Sequence, residues 1–323
     1  MRRSFGEEWP TWLLCLAIYG GFITLILLHD AIPWFLAVPL GGLLLAWHAS
    51  LQHEIIHGHP TGLRRVDTAL GGIPLSVWLP YVVYRSLHLR HHRDPHLTCP
   101  IEDPESFYVT AETWNRLSPF ARGVLIAHRT LLGRLLLGPA LAIGGLWSTA
   151  VKRIVAGDRH HLRVWVIHLG LVAALLGLVI GVAGVPVWLY AAWIYIGVAL
   201  LLLRSFAEHK ALPGQDQRTA VVDRAPLFGL LFLNNNLHVA HHARPGVAWW
   251  RLPRLARSID ARQTASHGAG LYHGYADVAA RFLLRPLDHP VHPAHAGQAV
   301  PTGGEVGNAL VVPSGGPAGR GIA

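Results

Sequence analysis

Val164 to Leu203 reads VWVIHLGLVAALLGLVIGVAGVPVWLYAAWIYIGVALLLL, forty residues without one Asp, Glu, Lys or Arg. A helix needs about 20 apolar residues to cross a bilayer. The run is therefore long enough to cross twice, with its turn at Gly184–Pro186. The same arrangement occurs earlier in the chain. Thr11 to His29 is charge-free, Asp30 interrupts, and Ala31 to Gln52 is charge-free again, with a tight turn near Asp30–Pro33. These runs predict an all-α integral membrane protein with four transmembrane helices, at about 11–29, 31–52, 164–183 and 186–203, in two hairpins.

Composition agrees. Apolar residues make up 52% of the 323 and charged residues only 14%, against about 25% in soluble domains, so a pair of soluble domains is excluded. The net charge of +9 comes from 27 basic and 18 acidic residues. Nucleic-acid binding is the first reading of such a balance, but basic residues also collect on the cytoplasmic side of membrane proteins. The second reading is preferred here, and no nucleic-acid partner is expected. Cys15 and Cys99 form no CxxC pair and no disulfide framework.

Arg2 and Arg3 before an apolar run resemble a signal peptide. The run is longer than an h-region of about 7–15 residues, and a second span follows at once. An uncleaved, cytoplasmic N-terminus is expected. Between the hairpins, His53 to Arg163 is mostly polar and Arg-rich, broken by two apolar patches. Ala69 to Tyr84, rich in Gly and Pro, reads as interfacial or re-entrant. Leu135 to Val151, flanked by Arg134 and Lys152–Arg153, reads as an amphipathic helix lying on the surface. An even number of spans then puts both termini and the basic loop on the cytoplasmic face, leaving outside only two turns that lack Lys and Arg. One domain is expected over 1–285. From about Pro286 to 323 the chain, rich in Pro, Gly and Ala, reads as a disordered tail in which His289, His292 and His295 are inert.

Histidine is the compositional anomaly: 22 residues, more than Asp and Glu combined. His53-Glu54-Ile55-Ile56-His57 follows the second span. His88-Leu89-Arg90-His91-His92 lies in the long loop. Glu208-His209 follows the fourth span, and His238-Val239-Ala240-His241-His242 lies beyond it. Spacing i, i+4 puts two imidazoles on one helical face within reach of one metal. An i, i+3, i+4 triplet can serve one metal and contribute to a second. HExxH alone also fits a zinc metalloprotease with Glu54 as general base, but that reading leaves both HxxHH triplets unused. A metal transporter would carry its polar groups inside the spans, which hold only His29, His48 and His168. A catalytic zinc takes three protein ligands, whereas these boxes offer eight and His209 makes nine. That is enough for two ions with about four imidazoles each. Imidazole suits zinc, copper, iron and nickel alike; an oxygen-activating pair of iron ions best accounts for both the ligand number and the bilayer.

HEIIH, HLRHH and HVAHH, in this order around two hairpins, resemble the membrane fatty acid desaturase superfamily, over roughly His29 to Arg244. The resemblance implies a cytoplasmic histidine-rich cap holding two iron ions (Fe2+/Fe3+) on His53, His57, His88, His91, His92, His238, His241 and His242. His209 is similar to the extra histidine that many members carry after the fourth span. It implies an oxygen-dependent oxidoreductase that desaturates a fatty acyl or related hydrocarbon chain, with a lipid or hydrocarbon hydroxylase or ketolase as the alternative. Implied partners are the lipid substrate, dioxygen and a separate electron donor of ferredoxin or cytochrome type; the implied location is a bacterial inner membrane. The sequence departs from the acyl desaturase pattern at Glu54, where many members have Asp. The stretch after the second box, Arg93 to His96 followed by Glu102-Asp103-Pro104-Glu105, looks closer to bacterial hydrocarbon oxygenases and ketolases.

Metal-bound histidines usually donate their second N–H to a carboxylate or carbonyl. Glu54, Asp94, Glu102, Asp103, Glu105 and Glu208 are the nearby acceptors, with Glu208 and Glu54 the preferred pair. Asn234, four residues before His238, is expected on the same helical face, where it could hold a water or orient a ligand. His48, His59, His96 and His128 are further candidates for orienting ligands.

Overall fold

In the computed structural model, which describes residues 4–214 and 217–295, both charge-free runs are helical hairpins. Helix α1 (Phe5–Leu28) turns through 29–33 into α2 (Trp34–Ile56). Helix α3 (Arg64–Gly71), an irregular stretch, α4 (Tyr81–His91), α5 (Ala111–Arg116) and α6 (Pro119–His128) lead to α7 (Leu131–Val155). Helix α8 (Arg159–Leu176) ends in a π-helical segment, Gly177–Val182, and α9 (Val187–Phe206) returns. Strand β1 (Val221–Asp223), α10 (Pro226–Leu231), α11 (His238–Ala243), α12 (Leu252–Ser258), α13 (Ala261–Ser266), strand β2 (Leu271–His273) and α14 (Tyr275–Phe282) complete a mostly helical chain; the two strands pair in parallel.

The core of the bundle is the packing of α2 on α9. A Cβ on Gly41 would strike the Trp193 indole at 2.2 Å, and one on Gly197 would meet Leu45 Cβ at 2.8 Å. Small residues let two backbones approach where lipid offers no hydrophobic drive between helices. Contacts rise together along both chains, from Gly41 against Trp193 to Leu45 against Gly197, so the helices run parallel. Their C-terminal ends, carrying His53 and leading to His209, emerge at the same end of the bundle.

Each of the five long helices also donates a side-chain hydrogen bond to the 70–78 segment. Tyr19 on α1 reaches the Leu70 carbonyl at 2.7 Å, Gln52 on α2 reaches Gly71 at 2.7 Å, and Tyr190 on α9 reaches Leu75 at 2.6 Å. His168 on α8 meets the Val77 carbonyl at 2.8 Å and Trp147 on α7 that of Trp78 at 2.9 Å. Irregular backbone inside a membrane protein persists only where its polar groups are satisfied by protein or water. This patch, read as interfacial or re-entrant, is wedged into the bundle by those donors. Helix α4 leads from it to the second histidine box.

Among the described residues, five helices rather than four are long and apolar enough to cross a membrane by length and composition: Gly6–Leu28, Trp34–Ile56, Leu131–Val155, Arg159–Val182 and Val187–Phe206. The additional one is α7, which continues through Arg134 instead of starting after it. That guanidinium is 1% exposed and lies 3.8 Å over the Phe107 ring, so its charge does not end the helix. Leu131 shares a hydrophobic cluster with Leu203 and Phe206 at the histidine end of α9. Leu146 and Ala150 cluster with Trp165, against Trp78 and Val83.

The expectation of disorder from Pro286 does not hold for residues 286–295. Val291 bridges Val109 in parallel, Arg129 and Tyr108 bind Asp288, and His292 is buried. These residues pair through backbone and polar contacts, which leave no periodic apolar pattern. The rest of the expected tail, 296–323, lies outside the described residues.

Candidate metal centre

The nine predicted histidines converge at the end of the bundle and fall into two groups. His53, His57, His88, His92 and His241 form one; His91, His209, His238 and His242 form the other. Within each group the ligand-capable atoms lie within 4.8 Å of one another. At 100° per residue, i and i+4 are about 40° apart on a helix, while i+3 lies about 60° to the other side. Each triplet divides accordingly. His88 and His92 join one group and His91 the other, whereas His238 and His242 pair and His241 crosses over.

Four close approaches link Nε2 atoms: His57 to His88 at 3.1 Å, His88 to His92 at 3.0 Å, His92 to His241 at 2.9 Å, and His209 to His238 at 2.9 Å. Two imidazole nitrogens bound side by side to one ion at about 2.1 Å stand about 3 Å apart, so the spacing fits a shared ion. His53 Nε2 and His242 Nε2 are buried with no hydrogen-bond partner, so each can offer a lone pair to a metal ion. Burial, reinforced by neighbouring imidazoles, holds His57, His238, His241 and His242 well below the usual histidine range. Burial likewise takes His92 down to about 2, with His88 and His91 adding to it, and His209 down to about 3, with His91 adding to it. These rings are neutral, as ligands must be. The donor set, nine imidazoles without a carboxylate, fits iron, as it fits zinc, copper and nickel.

Acceptors for the second ring nitrogens come mainly from the acidic stretch after the second box. His88 Nδ1 donates to Glu105 at 2.9 Å and His91 Nδ1 to Asp103 at 2.8 Å. His209 Nδ1 donates to the Arg218 carbonyl at 3.2 Å. Burial favours neutral His91, but Asp103 and Glu105 outweigh it and lift its pKa to about 9. Of the preferred pair, Glu208 lies 3.5 Å from His238 Nδ1 and is held by Arg204 at 3.0 Å and by Asn235 at 2.6 Å. Burial raises Glu208 to about 7, against the pull of Arg204.

Glu54 accepts the Trp249 N–H at 3.0 Å and lies 3.6 Å from His59. The helical face expected for Asn234 does not form. Helix α11 begins at His238, and Asn234 sits before it in a left-handed turn (φ +58) with its amide on the Trp249 carbonyl. Helical spacing cannot be extended through such a turn; the residue that supports Glu208 is Asn235.

The other histidines lie outside both groups. His59 is fully buried against Glu8 at 2.9 Å, His96 is half exposed beside Glu102, and His128 packs near Phe107. His48 is buried edge-on to Tyr19, both ring nitrogens without a partner.

The family model described as Fatty acid desaturase matches residues 31–275, which include all nine histidines. No curated protein matches the chain closely enough to add to that assignment.

Proposed function

Because the chain belongs to the fatty acid desaturase family, we propose that it is a membrane di-iron oxygenase that desaturates a fatty acyl or related hydrocarbon chain. The observation that carries this reading is the gathering of nine buried and half-buried imidazoles into two adjoining groups. In this reading His53, His57, His88, His92 and His241 hold one iron ion, and His91, His209, His238 and His242 hold the second. When bound, such a pair supplies the activation of dioxygen needed to take hydrogen from an unactivated C–H bond, which no general base can deprotonate.

The protein's own groups fix the ligands. Glu105, Asp103 and the Arg218 carbonyl hold three rings by their Nδ1 atoms, setting both tautomer and orientation. The Asn235 carbonyl takes His238 Nδ1 at 3.3 Å, beside Glu208, which Arg204 and the Asn235 amide hold. Desaturation balances as one dioxygen, two electrons and two protons consumed, with two hydrogens leaving the substrate and two waters formed. A separate donor of ferredoxin or cytochrome type supplies the electrons.

Four crossings, α1, α2, α8 and α9, put both termini and the metal centre on the cytoplasmic face of a bacterial inner membrane. The parallel course of α2 and α9 supports this arrangement. Helix α7 then lies across the bundle: it starts beside Leu203 and Phe206 at the histidine end and connects through 156–158 to α8, which enters from that same end.

The test is expression with an electron donor under labelled dioxygen, followed by mass analysis of extracted lipids. A product lacking two hydrogens and free of label supports desaturation. A product with one labelled oxygen supports the alternative, a hydroxylase or ketolase on the same ligands.

A further inference from the structure

The segment after α14 lies across the loop that supplies the carboxylates. His292 N–H donates to the Val109 carbonyl at 3.0 Å, and Val109 N–H to that of Pro290 at 2.9 Å. The His292 ring is 2% exposed. Its Nδ1 accepts the Ala294 N–H at 3.2 Å, so the ring proton sits on Nε2, 3.1 Å from Thr98 Oγ1. Thr98 has φ +71, a left-handed conformation that β-branched residues rarely adopt and that persists only when surrounding contacts impose it.

Those contacts lead to the metal centre. Thr98 N–H donates to Asp103 Oδ2 at 2.7 Å, and its carbonyl accepts Ser106 Oγ at 2.6 Å. The other oxygen of Asp103 takes His91 Nδ1 at 2.8 Å and the Glu105 N–H at 2.9 Å, and Glu105 takes His88. Asp103 thus joins Thr98 directly to His91 in one group and, through Glu105, to His88 in the other.

We propose that His292 is a positioning residue of the metal centre, acting through Thr98 to hold Asp103 and Glu105 where they orient His91 and His88. The proposal rests on the reading of those histidines as iron ligands. It gives residues beyond the expected end of the catalytic domain a part in the site.

The test uses the full-length protein, with iron affinity measured by chelator competition and the visible ligand-field bands of the cobalt-loaded form as a readout independent of turnover. His292→Ala weakens iron binding about tenfold, the lower end for residues that orient metal ligands, and shifts the cobalt bands. His292→Gln, whose amide N–H can replace Nε2–H, restores both. Thr98→Val, which removes the acceptor without changing size, reproduces the loss from the other side. The double variant is no weaker than either single one, because both break the same link. Parental affinity and bands in His292→Ala and Thr98→Val overturn the proposal, and so does a His292→Gln as weak as His292→Ala. A parent protein that binds no iron overturns instead the reading on which it rests.

Discussion

His209 and His238, 29 residues apart, face each other with their Nε2 atoms 2.9 Å apart. The first lies just past α9 and the second opens α11, so the pair ties the membrane bundle to the third box. His128 is buried but lies outside both groups. His209→Ala is expected to lower iron towards one ion per chain and abolish activity. His128→Ala keeps both and lowers only thermal stability. Equal iron content in the two variants contradicts His209 as a ligand.

The two glutamates nearest the first and second boxes serve different ends. Glu105 takes the His88 Nδ1 proton, whereas Glu54 takes a backbone N–H at Trp249. Glu105→Gln is expected to weaken iron binding about 10- to 100-fold, and Glu54→Gln to change it less than about threefold. Chelator competition on both variants decides; the reverse order contradicts the assignment.

His91 gives the metal centre a pH dependence. With its pKa lifted to about 9 by Asp103 and Glu105 against burial, the metal-free protein carries a proton there at neutral pH. That proton stabilises the metal-free fold fully below about 6.5, the ordinary histidine value, and the contribution is lost as pH rises through about 9. Metal must displace it, so affinity rises with pH up to about 9. Calorimetry at pH 7.5 in two buffers of different ionisation enthalpy should show release of about one proton per chain, and Asp103→Asn should abolish it. Binding without proton release contradicts the assignment.

Topology follows from the course of α7. Reporter fusions after Gly62, after Gly157 and at the C-terminus should all report cytoplasm. A periplasmic signal after Gly157 means that Leu131–Val155 crosses, and the ends of α8 and α9 must then be reassigned.

Much of this was legible in the sequence, for local reasons. The hairpins show because their runs lack charge, and the clustering of the histidines shows because i, i+3, i+4 spacing is a local property of a helix. What the sequence hides depends on distant partners. Arg134 looks like a boundary until Phe107 is known to cover it, so α7 reads as a shorter, flanked patch. Glu54 is adjacent to His53 in sequence yet points to Trp249, while Glu105, 17 residues from His88, reaches it through the fold of its loop. Asn234 misleads because it is itself in the left-handed region, before the helix that its spacing assumes begins at His238. Residues 286–295 carry no pattern because Val109, Arg129 and Thr98 hold them from outside.

Metal analysis of the purified, active protein tests the central claim most directly. Two groups of imidazoles predict close to two iron ions per chain, lost together with activity when a chelator removes them. One zinc per chain, with activity retained after iron is stripped, would contradict it.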